Sequence, residues 1–276
     1  MIECIDIEDS RLAPYRQLRH SNLTHVSGLF IAEGPTVVQR LLASSYAIQS
    51  VLVDDKHVAR FEPMIASDVA TYVVGHDQLS GLVGFNFHRG VLACGIRKPN
   101  LSCAEACWQE LPEDETLAVL VGVQDPENVG GILRCCAGLG ITRVLLGPNT
   151  ADPLSRRVLR VSMGTALSLA LIRTKDCLAD IQWLSRDRKV ETIATTLGSD
   201  AQPLEDATRH GPVAIVLGNE AWGLPEEIQQ ASNRRVRIDM RLGTDSLNVS
   251  MAAGIVMHYF CRLAPRSIGG AIAELP

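Results

Sequence analysis

Aromatic residues are scarce in this chain of 276 residues, with 3 Trp, 4 Tyr and 5 Phe making up 4% of it. Repeated base stacking is therefore a poor candidate for its main mode of binding. A surplus of positive charge is missing as well. The net charge is -5, so no global field advertises a nucleic-acid partner, and local clusters must carry any such case. No run of about 18 apolar residues exists to span a membrane. No G-x-G-x-x-G follows a predicted strand, which argues against a nicotinamide-dependent dehydrogenase. The seven histidines have no nucleophile partner at a recognisable spacing, so there is no hydrolase case. His258, inside an apolar helical pattern, reads as a core or interface residue.

A disulfide framework is not expected from the eight cysteines. The chain is too long to need one, its opening Met1-Ile2-Glu3-Cys4 does not read as a secretory leader, and Cys135 and Cys136 are adjacent within a predicted helix. Reduced thiols and a cytoplasmic location follow as expectations. Cys103 and Cys107 have no second pair or nearby histidines, so no metal site is expected.

What is present is the composition of a globular α/β enzyme, 46% hydrophobic and 21% charged, at a length that suits two domains. Short apolar runs at Leu29–Ala32, Ile48–Val53, Val69–Val74 and Gly90–Ile96 read as strands, with helices between them. Pro35–Leu42 reads as a helix entered through Gly34, with Val37, Val38, Leu41 and Leu42 on one side. Residues 1–97 thus form a small α/β domain, and 98–115 a connector containing Trp108. From Leu117 the pattern restarts as strand (Leu117–Val123), helix (Val129–Leu139, ended by Gly140) and strand (Ile141–Leu146), a βαβ unit that implies a parallel sheet. Further strands are expected at Leu167–Ile172, Val190–Thr196, Val213–Leu217 and Val236–Met240. An apolar helix over about Leu247–Leu263 closes a second domain, 116–276.

Three stretches in that second domain carry polar residues and glycines where a plain core needs only turns: Asn128-Val129-Gly130-Gly131-Ile132-Leu133-Arg134, Leu217-Gly218-Asn219-Glu220, and Ser246-Leu247-Asn248-Val249-Ser250. In an open α/β sheet ligands gather at the C-terminal strand ends, where Gly218-Asn219-Glu220 and the residues after Met240 fall. Each also has a plain structural reading. Asn128 suits a helix cap, Gly218 and Gly223 suit turns, and Leu242 and Leu247 suit a core. Arg134 has little structural purpose on an apolar helix unless it joins an ion pair.

Together and in this order, the stretches resemble the three motifs of the SpoU (TrmH-like) branch of the SPOUT RNA methyltransferases, over residues 116 to 262. The resemblance implies S-adenosylmethionine as cofactor, no metal, and a C-terminal α/β domain whose parallel sheet carries a deep trefoil knot, an arrangement otherwise nearly absent from proteins. It implies that Leu217, Gly218 and Asn219 border the cofactor, while Met240, Leu242, Leu247 and Asn248 enclose its adenine and ribose. Asn128, Arg134, Glu220, Ser246 and Asn248 would converge on a target ribose whose 2′-hydroxyl attacks the cofactor's methyl group. A guanidinium with a pKa above about 12 is a poor base, so an orienting and electrostatic role is expected for Arg134. Glu220 would fix that arginine, and Ser246 with Asn248 would orient ribose and cofactor. Arg160-Val161-Ser162-Met163-Gly164 resembles a further family segment with packing or dimer duties. Arg156, Arg157 and Arg160 equally suit a solvated face.

In the first domain, Phe30-Ile31-Ala32-Glu33-Gly34 and His88-Arg89-Gly90-Val91 resemble the ribosomal-protein L30e-like (L7Ae-type) substrate-binding domain joined to many SpoU-like enzymes, although Arg89 stands where that family usually has Gln. Between Ser10 and Ala32 there is no carboxylate, while Arg11, Arg16 and Arg19 accumulate. These arginines and Arg89 are the candidates for RNA contact, with an exposed helix face as the alternative. The implied function is 2′-O-methylation of structured rRNA or tRNA by a homodimer. The alternatives are a non-catalytic RNA-binding module and a methyltransferase with a non-RNA acceptor.

Overall fold

The computed structural model describes all residues except 1, 19–27, 104–105, 107–110, 269–270 and 273–276. Arg19, Cys107 and Trp108 therefore lie outside the described residues. The chain divides into two compact units, Met1–Pro99 with Pro153–Ser168, and Asn100–Asp152 with Leu169–Pro276.

The first unit is built on strands β1 (Ile2–Cys4), β2 (Leu29–Glu33), β3 (Ile48–Asp54), β4 (Ala70–Val74) and β5 (Val91–Ile96), in the order β1-β4-β3-β5-β2. β4 pairs in parallel with β1 and β3, whereas β5 is antiparallel to β2 and β3. The helix Pro35–Leu42 forms as its sequence predicts. Gly34 precedes it at φ 86°, a conformation costly for other residues, and Val37, Val38 and Leu41 turn inward. β1 was not expected, because three residues are too few to show an alternation.

Pro153–Ser168, expected with the second domain, clusters with this unit. Its helix Arg156–Val161 buries Val158 and Leu159, and Arg156 Nε lies 3.5 Å from the buried Glu33 carboxylate. Gly164, at φ +82°, comes so close that a Cβ there would sit 3.3 Å from Val37 Cα.

Asp54 is wholly buried at the end of β3, and each of its oxygens accepts from an imidazole Nδ1, those of His57 and His76, at 2.5 Å. Burial alone would raise this carboxyl, but the two imidazoles outweigh it and hold it below the ordinary aspartate value. Gly90 accounts for the glycine of His88-Arg89-Gly90: it has φ +71°, and a Cβ there would overlap the His57 ring. Gly90→Ala should destabilise the protein by at least about 2 kcal/mol, from the left-handed backbone and the displaced His57 together. Denaturant unfolding checks this, and an unchanged midpoint would reject it.

The second unit carries β6 (Thr116–Leu120), β7 (Arg143–Leu146), β8 (Ala170–Arg173), β9 (Glu191–Thr195), β10 (Gln202–Pro203), β11 (Val213–Leu217) and β12 (Arg234–Arg237), in the order β10-β12-β9-β11-β6-β7-β8. Every pairing within this seven-stranded sheet is parallel. The central strands β6 and β11 are buried at all five positions, which is why they read as unbroken apolar runs. The chain leaves β6 toward β7 on one side and leaves β11 toward β12 on the other. Between β11 and β6 lies a topological switch point, the place where open α/β sheets gather ligands at the C-terminal strand ends.

Candidate active site

Two loops leave the switch point, and their mutual fit explains their glycines. Val121 N donates to the Leu217 carbonyl at 2.8 Å, so both loops start in register. Asn219 Nδ2 donates to the carbonyl of Gly122 at 2.8 Å, and its Oδ1 accepts from the backbone N–H groups of Ala221 at 2.9 Å and Trp222 at 3.2 Å. Asn219 and Gly223 exchange two backbone hydrogen bonds of 3.0 Å, closing a tight turn. A side chain at Gly218 would overlap the backbone of Gly223 and Leu224, so this position admits only glycine.

Asp125 caps the helix Pro126–Leu139, its side chain accepting from Glu127 N at 2.8 Å, and Gly140 ends it at φ 85°. The helix begins three residues before the predicted Val129, and Asn128 is not its cap. Asn128 is 5% exposed and its amide is committed elsewhere. Glu220 Oε1 accepts from Asn128 Nδ2 at 2.9 Å and from Asp125 N at 3.1 Å, and Oε2 accepts from Gln124 N at 3.2 Å. An ionised carboxylate only accepts, so Asn128 must turn its NH₂ toward Glu220 and its Oδ1 away. That oxygen accepts from Asn248 Nδ2 at 2.8 Å. Asn248 Oδ1 is thereby aimed at the next helix, Val249–His258, which it caps by accepting from Ser250 N at 2.9 Å and Ser250 Oγ at 2.6 Å.

One relay, Glu220–Asn128–Asn248–Ser250, therefore joins the three stretches. Ser250 is the member that sequence reasoning did not assign, although its place two residues after Asn248 is where a capped N–H falls. Gly131 gives the relay room. A Cβ there would lie 3.1 Å from Ser250 Cβ, so its absence lets the two helices approach. Burial would raise the Glu220 carboxyl, but the hydrogen bonds from Asn128 and the loop N–H groups prevail and hold it below the ordinary glutamate value.

The other predicted residues lie outside this relay. Glu220 is bonded to Asn128, Gln124 and Asp125, and among the described residues it makes no ion pair with Arg134. Arg134 is exposed and makes no ion pair among the described residues. Ser246 is exposed in the loop before Asn248. Leu217 is buried in β11, and the Asn219 side chain is spent on its own loop. Met240 and Leu247 are partly exposed, while Leu242 is fully exposed at φ 58°. Leu197, beyond β9 and 63% exposed, is a further apolar residue at these strand ends. Its only sequence signal was the Thr196-Leu197-Gly198 turn after a predicted strand.

In the first unit, Arg11 and Arg16 do not form a free cationic patch. The carboxylates that answer them precede the run that lacks any. Arg11 meets Glu3 at 2.6 Å and Asp9 at 2.8 Å, and Arg16 meets Glu8 at 3.5 Å. Hydrogen bonds from Arg11 pull the Asp9 carboxyl down to about 2. Arg89 is about half exposed, with Nε 3.9 Å from Glu33.

The seven-stranded parallel sheet, with its loops joined at the switch point between β6 and β11, defines an open α/β protein. The SpoU rRNA Methylase family model matches residues 115–258, and the chain belongs to that family. It is 37% identical to an uncharacterized tRNA/rRNA methyltransferase of Mycobacterium bovis, over 92% of this chain and 89% of the relative. It is 29% identical to the 23S rRNA (guanosine-2′-O-)-methyltransferase RlmB of Acinetobacter baylyi, over 70% of this chain and 79% of that protein. The AdoMet-bound rRNA methyltransferase from Sinorhizobium meliloti shares the fold, with TM-score 0.78 at 23% identity, over 95% of this chain and 97% of that one.

A carboxyl held below its ordinary value stabilises the fold fully above the unfolded glutamate pKa, and this contribution is lost as pH falls through the folded value. The stability difference between the native chain and Glu220→Gln should therefore be constant above about pH 5.5 and shrink in more acidic buffer. Urea unfolding from pH 7 to pH 3 measures it, and a difference independent of pH would sink the assignment.

Proposed function

We infer that this chain transfers the methyl group of S-adenosylmethionine to a ribose 2′-hydroxyl of structured rRNA or tRNA. The observation that carries this reading is the Glu220–Asn128–Asn248 relay across the switch point, and family membership supports it. When bound, the cofactor supplies an electrophilic methyl carbon on a sulfonium sulfur. The residues suit it. Leu197 and Leu242, exposed beyond β9 and β12, offer apolar surface for adenine, and the missing glycine-rich cradle matches a ligand without pyrophosphate. We read residues 213 to 248 as the stretch that forms the family's knot.

The chain's own work is positioning. With the cofactor bound, its methyl carbon would be the acceptor for the ribose 2′-oxygen, whose proton would pass to solvent, and this chain's part is to orient that oxygen. Asn128 and Asn248 have fixed amide orientations, which makes them rigid walls for the ribose and the cofactor. Ser246 supplies a hydroxyl beside them. Arg134, exposed and without an ion-pair partner among the described residues, neutralises the flanking phosphate or the developing alkoxide. The first unit is the RNA-recognition unit, and among the described residues Arg89 is the most exposed of its predicted cations. A second copy of the chain covers the helix Val249–His258, where Met251, Ile255 and His258 line a groove of about 590 Å³ with Leu204, Tyr259 and Leu263.

Labelled methyl transfer to unmodified rRNA and tRNA, followed by nucleoside analysis, tests the reaction. Label should appear in a 2′-O-methyl nucleoside, and Arg134→Ala should lower turnover by at least about 100-fold. Arg134→Lys should retain part of the activity. Full activity in Arg134→Ala removes the proposed role, and label in a base or a small molecule removes the ribose acceptor. Ile255→Glu should convert a dimer to a monomer in sedimentation analysis, and an unchanged mass would place the partner surface elsewhere.

A further inference from the structure

We propose that Trp222 is a stacking platform for an unpaired base of the RNA next to the methylated nucleotide. The inference rests on the RNA reading above. Trp222 is 88% exposed, in a chain with three tryptophans. Trp183, by contrast, packs against the core of the second unit, under the Arg188 guanidinium. Leaving an indole in water forgoes the burial that normally recruits so large a side chain, so its exposure calls for a ligand.

The backbone that carries the ring is not loose. Trp222 N donates to Asn219 Oδ1 at 3.2 Å, and Ala221 N to the same oxygen at 2.9 Å. The paired bonds between Asn219 and Gly223, and the close approach over Gly218, lock the turn on both sides. Within that turn Trp222 follows Glu220 by two residues, so their Cα atoms are at most about 7 Å apart. Glu220 is itself bonded to Asn128. The turn thus places Trp222 two residues from Glu220, at the rim of the reacting site.

Unpaired bases in RNA are recognised by stacking on aromatic side chains, and every base has a face to offer. A single platform also agrees with a composition too poor in aromatics for stacking along a whole strand. Two other occupants are conceivable at an exposed indole, the cofactor's adenine and a second copy of the chain, and each leaves its own signature.

The test compares the full native chain with Trp222→Phe and Trp222→Ala, using an unmodified rRNA transcript and a 10-nucleotide oligoadenylate as probes. Oligoadenylate should quench the native indole emission, and most of that quench should vanish in Trp222→Phe, which keeps its affinity. Trp222→Ala should bind the transcript about 5- to 100-fold more weakly and show a matching rise in KM. Its affinity for S-adenosylmethionine and its sedimentation mass should stay native. Equal RNA affinity in native and Trp222→Ala overturns the proposal. So does a loss confined to cofactor affinity, which assigns the ring to adenine, or a change of mass, which assigns it to a second copy. If the native chain binds cofactor but neither binds nor methylates any RNA, the RNA reading falls together with this one. That result differs from a native chain that binds RNA as well as its Trp222→Ala variant does.

Discussion

The relay from Glu220 to Ser250 runs between a carboxylate that can only accept and a backbone N–H that can only donate. A carboxylate can only accept, so Asn128 and then Asn248 are forced, one after the other, into single amide orientations. The Ser250 N–H, which can only donate, imposes the same orientation from the other end of the relay, so the polarity of the two amides is set twice over. The same carboxylate also closes the loop after β6 onto the loop after β11 through Gln124 and Asp125. It is therefore both the accepting end of the relay and the clasp across the switch point.

The sequence is most legible where local chemistry and global fold agree. The helix Pro35–Leu42 appears as drawn, since a glycine, a proline and an apolar stripe all specify the same element. The parallel sheet follows from apolar runs too continuous for a strand with one wet face. The start of the helix Pro126–Leu139 was misplaced because apolar periodicity begins at Val129, whereas the Asp125 cap and Pro126 extend the helix through polar residues. The clustering of Pro153–Ser168 with the first unit could not be foreseen, because no local signal in a helix names its distant partner.

The site residues divide in the same way. The three motif stretches do meet, but their pairings are long-range facts that spacing cannot supply. Glu220 serves Asn128 rather than Arg134. Arg11 and Arg16 are neutralised by Glu3, Glu8 and Asp9, carboxylates just outside the window that looked free of them. Trp222 drew no notice in a motif-like stretch, since exposure is a property of the folded loop and not of the letters around it.

The partners in the relay are separated by 92 residues, Glu220 from Asn128, and by 120 residues, Asn248 from Asn128. Closing loops of such length carries an entropic cost that local contacts do not. During synthesis Asn248 is made last, so the emerging chain holds Asn128 and Glu220 for some time without the residue that joins them to the third stretch. A chain that stops short of Asn248 can therefore hold the Glu220–Asn128 pair but lacks the amide that passes it on to the helix Val249–His258.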